Sequence, residues 1–336
     1  LVMTEWDHRK IGKDRDIARC NGNFGYGVYT PMQKARVSAE STKTRLEAWD
    51  DSEVMDRATK IATVAVYAGF TRIILGEAFC EMAIDVGPIM TPEAVLKSAE
   101  AALTEAISLA EAAGRSDLAA AARLGRARTR LTLGDKAGAR SDAATVPEGF
   151  VFNANYSHAD NYRYNRIYQH NWIDGFITPE WDDENGHPTL DGDNPTFGGV
   201  VDPRVRSTPA GLGQDGTPLR HIEKYSDWGS PIAIAKYAEA QLIIAEVDLG
   251  QSAVDIINTL HAAAGLPPYV PANVADGAEI LKHVIQERNR ELYLEGHRLN
   301  DLLRLGLPFA EGKHPYDGNT YGTTTCIELP RGETDS

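Results

Sequence analysis

Residues 278–306 read AEILKHVIQERNRELYLEGHRLNDLLRLG and carry the strongest structural signal in the chain. Their apolar side chains recur at three-, four- and seven-residue steps, which is the spacing of one face of a helix. Gly296 interrupts this pattern, so the stretch predicts a long helix, a break and a second, short helix. The apolar positions are Leu281, Val284, Ile285, Leu292, Leu299 and Leu302.

Two charged residues lie on the same apolar face. Arg288 and Glu295 follow Leu281 at seven-residue steps. Burying either charge alone is unfavourable, so we expect both residues to be ion-paired. Glu291 lies three residues after Arg288, and Arg298 lies three residues after Glu295, so local partners are within reach. The alternative is a solvated, charged helix face.

The spacing of these residues resembles the C-terminal signature of the SusD/RagB family. Three shorter elements are similar to patterns of the same family: GEAFC at residues 76–80, Asp-Pro-Arg at residues 202–204, and YAEAQLIIAE at residues 237–246, inside a single helix predicted from Pro231 to Leu249. The signature residues are Glu287, Arg288, Glu291, Leu292, Glu295, Gly296, Arg298, Asp301, Leu302, Arg304, Leu305 and Gly306.

The resemblance implies a function and a location. Members of that family are lipoproteins on the extracellular face of the outer membrane, and they capture glycans or other nutrients without catalysis. They pass the ligand to a TonB-dependent transporter of the SusC type. We therefore expect an oligosaccharide or another nutrient as ligand and a SusC-like transporter as partner.

The helical periodicity divides the chain into a scaffold and an insertion. Residues 31–147 and 231–306 have helical patterns, with Thr91 as the predicted cap and Pro92 as the first residue of one helix. Residues 117–144 resemble a tetratricopeptide hairpin, whose period is about 34 residues. Residues 148–230 are rich in loops and aromatic side chains. We expect a mostly α protein in which tetratricopeptide-like hairpins form a bundle that carries this insertion, with residues 1–336 as a single SusD-like domain.

Composition limits the other classes of partner and compartment. The net charge is −14, which argues against binding to nucleic acid because no basic surface is available for phosphates. There is no uninterrupted run of about 18 apolar residues. The opening LVMTEWDHRK lacks the features of a lipoprotein signal. We therefore expect the sequence to begin inside the natural protein, without its N-terminal segment.

Three cysteines leave the redox state open. Cys20, Cys80 and Cys326 are far apart and have no metal-binding spacing. One disulfide with one free thiol is possible in an oxidising compartment, but the sequence does not identify the pair. Buried free thiols are the expectation on general grounds.

The usual catalytic and cofactor motifs are absent, so we expect neither an enzyme nor a cofactor. Glu77 and Glu81 could act as a carboxylate pair, but no histidine or nucleophile accompanies them, and roles in capping or ion pairing are expected instead. Residues 181–194, WDDENGHPTLDGDN, could supply oxygen ligands to calcium. Their spacing does not fit an EF-hand, so a solvated loop is the alternative.

The aromatic side chains of the insertion are the predicted ligand contacts. Sugar rings can pack their C–H faces on tryptophan and tyrosine, while amide and charged side chains bond the hydroxyls. Residues 161–166, NYRYNR, and 168–172, YQHNW, supply both kinds of side chain. The alternative is that these rings pack the insertion onto the bundle. The predicted contacts are Tyr164, Tyr168 and Trp172, followed by Trp181 and Trp228.

Two other functions fit a helical scaffold of this kind. One is a structural subunit or interaction scaffold, because stacked helical hairpins can bind peptides or self-assemble. The other is a glycan hydrolase that acts through two carboxylates such as Glu77 and Asp182, although the sequence does not pair these groups convincingly.

Overall fold

A computed structural model describes residues 29–85, 87–179, 181–182, 188–189, 194–214, 216–313 and 320–329, with the backbone alone for 181–182 and 188–189. Helices dominate these residues, as the periodicity predicted. The helices are α1 (Tyr29–Glu47), α2 (Arg57–Ala78), α3 (Pro92–Ala112), α4 (Ser116–Thr132), α5 (Lys136–Ala143), α6 (Arg166–Tyr168), α7 (Tyr237–Asp248), α8 (Gly250–Ala264), α9 (Gly277–Glu291) and α10 (Arg298–Leu305).

The strands are short and pair two by two in antiparallel ribbons. The pairs are β1 (Met82–Ala83) with β2 (Ile89–Met90), β3 (Val151–Ala154) with β10 (Ile232–Lys236), β4 (Trp181–Asp182) with β5 (Pro188–Thr189), β6 (Thr196–Phe197) with β7 (Val200–Val201), and β8 (Ser207–Leu212) with β9 (Pro218–Ile222). A single helix was predicted from Pro231, but its first residues form β10, and the helix begins at Tyr237. Pairing with β3 decides this outcome, and the local sequence does not reveal it.

The N-terminal helices pack in sequence order, α1 on α2, α2 on α3, α3 on α4 and α4 on α5. Small residues allow the close approach. A Cβ at Gly69 would lie 2.5 Å from Leu103 Cδ2, and one at Gly76 would lie 2.8 Å from Leu96 Cγ. Thr91 caps α3 by accepting a hydrogen bond from the Ala94 amide, as predicted. Helices α2 to α5 share one apolar cluster with β10 and α7.

Within the described part of the chain, α2 alone is long and apolar enough to cross a membrane by length and composition. However, 61% of its most apolar window is buried inside the protein. The central helix of a packed bundle meets the same criterion, so this finding is weak evidence for a membrane span.

The C-terminal helices include the predicted break. Helix α9 ends at Glu291, Leu294 and Gly296 have positive φ angles of 57° and 83°, and α10 begins at Arg298. The chain therefore leaves the helix a few residues before Gly296, the residue at which the break was predicted. The left-handed conformation at Gly296 suits glycine, which has no Cβ to clash.

Charges on these helices form ion pairs that join distant elements. Arg288, which is 3% exposed, donates to Asp301 through Nε at 2.9 Å and Nη2 at 3.0 Å. Arg304 joins Asp301 to Glu246 of α7. The partner predicted for Arg288 was Glu291, but the guanidinium bonds a residue of the next helix. The reason is that the chain turns after α9 and brings α10 back against it.

A disulfide joins Cys80, after α2, to Cys326 near the end of the chain. The expectation of free thiols is therefore wrong for these two residues, while Cys20 lies outside the described residues. Backbone bonds from the Cys80 amide to the Ile327 carbonyl and from the Ile327 amide to the Ala78 carbonyl hold the same junction, at 2.9 and 2.8 Å. Ile327 and Leu329 then complete a second apolar cluster.

Candidate functional site

Five rings of the insertion contact one another in series. We call them the aromatic ribbon: Tyr164, Trp228, Tyr168, Trp172 and His221. Successive ring centroids lie 4.3 Å apart for Tyr164 and Trp228, 5.1 Å for Trp228 and Tyr168, 6.0 Å for Tyr168 and Trp172, and 4.1 Å for Trp172 and His221. All five are half-buried, so the ribbon is neither sealed within the protein nor fully solvated.

Buried Asn165 holds the first half of the ribbon. Its Oδ1 accepts from the Ile167 and Tyr168 amides at 2.9 and 3.1 Å, which caps the helical turn α6. Its Nδ2 donates to the Ser230 carbonyl at 2.7 Å, and its own amide donates to the Trp228 carbonyl at 2.8 Å. One side chain therefore fixes the turn that carries Tyr168 to the loop that carries Trp228.

Buried Asn171 holds the second half in the same way. Its Nδ2 donates to the carbonyls of Ile177 and Arg220, both at 2.8 Å, and its Oδ1 accepts from the Ile222 amide at 2.7 Å. The Trp172 indole Nε1 donates to the Ile222 carbonyl at 2.9 Å. These bonds join the π-helical turn Gln169–Ile173 to β9 and set Trp172 against His221.

Burial lowers the pKa of His221 from its usual value, so this ring is neutral at neutral pH. A neutral imidazole stacks on the Trp172 ring, with 24° between the planes, as an aromatic face and without a charge. This end of the ribbon therefore offers an apolar surface.

Polar groups surround the ribbon. His158 Nε2 and Asp227 Oδ1 lie 2.9 Å apart, and His170 Nδ1 and Asp174 Oδ2 lie 3.0 Å apart. Tyr162, two residues before the ribbon, is 92% exposed. A ring surface bordered by donors and acceptors matches the two kinds of surface that a sugar presents.

Residues 236–328 match the model of the SusD family, named SusD_RagB. This C-terminal segment is similar to the SusD family. This match contains the signature helices α9 and α10, and it ends next to Ile327, at the junction that the disulfide closes.

Solved structures show that the SusD fold extends beyond the matched segment. A SusD-like carbohydrate-binding protein from Bacteroides fragilis superposes with a TM-score of 0.65 at 15% identity, covering 100% of this chain and 91% of its own. A SusD superfamily protein from Bacteroides vulgatus gives 0.60 at 14% identity, with coverage of 91% and 78%. Surface glycan-binding protein A from Bacteroides uniformis gives 0.54 at 16% identity, with coverage of 91% and 82%. No curated protein sequence matches significantly.

Four of the five predicted contacts lie in the ribbon: Tyr164, Tyr168, Trp172 and Trp228. The backbone of Trp181 lies in β4, and its side chain is outside the described residues. His221 was not predicted, because a single histidine in a short strand gives no local signal. Asn165 and Asn171 were expected to bond sugar hydroxyls, but both are buried and bonded to the backbone.

Of the carboxylates considered for catalysis, Glu77 is buried, Glu81 is half-buried, and the side chain of Asp182 lies outside the described residues. Glu77 is 5% exposed and bonded by Arg128 and Asn300. Among the described residues no group of histidine, cysteine or acidic side chains could hold a metal ion. The acidic loop proposed for calcium, including Asp183, Glu184, Asp191 and Asp193, lies outside those residues.

Proposed function

We propose that this protein is a SusD/RagB family member that binds a glycan on the aromatic ribbon and performs no reaction on it. The main observation is the ribbon itself, in which two buried asparagines hold four half-buried aromatic side chains and a half-buried histidine. Rings fixed in this way lose little conformational freedom when a ligand packs on them, which favours binding. The printed titles of two structural neighbours, a carbohydrate-binding and a glycan-binding protein, agree with this ligand class.

The proposed setting is the extracellular face of the outer membrane, with delivery of the glycan to a SusC-like TonB-dependent transporter. Family membership supports this setting. The Cys80–Cys326 disulfide supports an oxidising compartment, because structural disulfides persist outside the cytosol. Co-purification of a TonB-dependent transporter with the native protein from outer membranes is expected, and its consistent absence would count against delivery.

A glycan array followed by calorimetry on the best ligand tests the site. We expect Tyr168→Ala and Trp172→Ala each to weaken binding about tenfold or more, since that factor corresponds to about 1.4 kcal/mol, within the range of one lost aromatic contact. Trp49→Ala is the matched control, because Trp49 is 40% exposed and lies in the helical scaffold after α1.

Circular dichroism and thermal unfolding of each variant separate a binding defect from a folding defect. Equal affinities for the ribbon variants and the Trp49 variant would show that the glycan binds elsewhere. Turnover of the bound glycan would contradict the proposal that the protein is a receptor.

A further inference from the structure

One carboxylate bonds both ends of the loop that carries Trp228. Lys224 Nζ donates to Glu295 Oε1 at 2.7 Å, and Lys236 Nζ donates to the same oxygen at 2.9 Å. The Glu295 side chain is 3% exposed, so both contacts are shielded from water. The loop from 224 to 236, which we call the ribbon loop, therefore begins and ends at one buried atom.

The two lysines also bond the turn that precedes α10. Lys224 Nζ donates to the Tyr293 carbonyl, and Lys236 Nζ donates to the Glu291 carbonyl, each at 2.7 Å. These carbonyls lie where helix α9 ends and the chain breaks. The helical break thus offers two main-chain oxygens and two carboxylate oxygens to the two ammonium groups, the second carboxylate oxygen being Glu291 Oε1 at 3.1 Å from Lys236 Nζ. Such charge-assisted bonds in a shielded site are directional and hold their partners in one geometry.

The ribbon loop joins directly to the candidate site. Lys224 follows Ile222, the residue whose carbonyl accepts from Trp172 and whose amide donates to Asn171. Trp228 lies inside the loop, and its carbonyl accepts from the Asn165 amide. Glu295 is therefore connected through the ribbon loop to Trp228 and, through Lys224 and the nearby Ile222, to the His221 end of the ribbon.

We propose that Glu295 is a positioning residue for the aromatic ribbon. It holds the ends of the ribbon loop together, so that Trp228 meets Tyr164 and Tyr168 and so that His221 meets Trp172. The consequence for glycan affinity rests on the proposed function, whereas the consequence for the place of Trp228 does not.

Removal of the Glu295 carboxylate leaves Lys224 without its paired carboxylate, while Lys236 keeps Glu291 Oε1 at 3.1 Å. Burial already lowers the pKa of Lys224 from its usual value, and the nearby Lys236 lowers it further, which the Glu295 carboxylate opposes. Without Glu295, the two ammonium groups repel each other or Lys224 loses its proton. Lys236 stays held by the pairing of β10 with β3, so the Lys224 end of the loop is the end that is released.

The experiment follows Trp228 directly by fluorine NMR of protein labelled with 5-fluorotryptophan, with the resonance assigned by Trp228→Phe. Glu295→Ala is expected to shift or broaden this resonance and to weaken glycan binding about tenfold or more. Glu295→Gln keeps an acceptor oxygen without the charge, so both effects should be smaller. Lys224→Met releases one end only and is expected to move the same resonance.

Glu246→Gln is the matched control. Glu246 of α7 is also buried and bonds Arg304 of the signature, but it has no bond to the ribbon loop. It should lower thermal stability and leave the Trp228 resonance and the affinity unchanged. The proposal is overturned if the control moves the resonance as much as the Glu295 variants, or if those variants leave it in place.

The two proposals fail in distinguishable ways. If neither the wild type nor any variant binds a glycan, the proposed function fails, while the Trp228 resonance still tests the positioning role. If Glu295→Ala is not recovered folded, Glu295→Gln and Lys224→Met decide: an unmoved Trp228 resonance in both overturns the proposal.

Discussion

Arg128→Met is expected to destabilise the protein strongly, because it leaves a buried carboxylate without its cation. Arg128 of α4 is 6% exposed and Glu77 of α2 is 5% exposed. The guanidinium bonds both carboxylate oxygens, with Nε at 2.9 Å from Oε1, and its Nη2 donates to the Gly296 carbonyl at 3.3 Å. A single side chain therefore joins α2, α4 and the break before α10.

The magnitude follows from what the variant leaves behind. Methionine fills a similar space, but the Glu77 carboxylate then has the Asn300 amide, at 2.9 Å, in place of a guanidinium. Breaking a buried pair in this way costs about 3–5 kcal/mol. That is a large share of the roughly 5–15 kcal/mol by which domains are stable. Arg123→Met, on the same helix, removes a surface pair with Glu111 and should cost less than about 1 kcal/mol.

Urea unfolding followed by circular dichroism measures both losses, and a double-mutant cycle tests their cause. Glu77→Leu together with Arg128→Met removes both charges, while Asn300 keeps its bond to Thr132 Oγ1 at 2.9 Å. We expect the double variant to be at least about 2 kcal/mol more stable than Arg128→Met alone. Additive losses in the double variant, or equal losses for Arg128→Met and Arg123→Met, would refute the argument from an unpaired buried charge.

Two further predictions concern redox state and pH. Replacing both Cys80 and Cys326 by serine should lower the free energy of unfolding by about 2–5 kcal/mol, because the disulfide closes a loop with a sequence separation of 246 residues. A urea unfolding midpoint that the substitutions leave unchanged would contradict this prediction. Burial raises the pKa of Glu239 to about 7, so the folded state holds a proton that the unfolded chain releases, and stability falls as pH rises from about 4.5 to 7. Glu239→Gln should remove this fall, so the free energy of unfolding of the variant relative to wild type should rise by up to about 3 kcal/mol across that range. Urea titrations at several pH values measure this difference, and a difference that does not change with pH would contradict the assignment.

Helix positions were largely readable from the sequence, because apolar spacing and caps are local signals. Thr91 and Pro92 marked the start of α3, and residues 278–306 predicted the helix, break and helix that the structure shows. The β10 strand was missed, because Ile232 to Lys236 form a strand only through pairing with β3, about 80 residues earlier in the chain.

The sequence did not identify which residues pair with one another. The spacing indicated that Arg288 must be paired, yet the partner is Asp301 on the following helix. The same limit applies to Cys80 and Cys326, which meet because the end of the chain runs alongside the end of α2. Pairings of this kind depend on how the helices and the end of the chain pack against one another. Helical spacing in the sequence does not specify that packing.

The ring types of the site were predictable, but the groups that hold them were not. Aromatic residues near polar side chains indicated a sugar-binding surface at Tyr168 and Trp172. Asn165 and Asn171 were also expected to bond the sugar, but both side chains are buried and bond backbone groups. The sequence does not distinguish an asparagine that bonds a ligand from one that bonds the backbone. The difference depends on which backbone groups lie within hydrogen-bonding distance of its side chain.

Ion pairs join the insertion to the scaffold alongside a small number of apolar contacts. The three apolar clusters of the described residues include the insertion only through Phe150, Phe152 and Phe197. Ionic bonds reach it from α9 and the following turn instead, through Glu287 to Arg204 and through Glu295 to Lys224.

Apolar contacts allow two packed elements to shift relative to each other, whereas a carboxylate bonded to a guanidinium or an ammonium fixes their relative position. The desolvation of the charges limits the net stabilisation that such a pair provides. We therefore expect apolar replacements of similar volume at Glu295 and Lys224 together to preserve much of the stability while displacing Trp228. Stability and glycan affinity should then vary independently across such variants. A close correlation between the two would instead indicate that the charges act through stability alone.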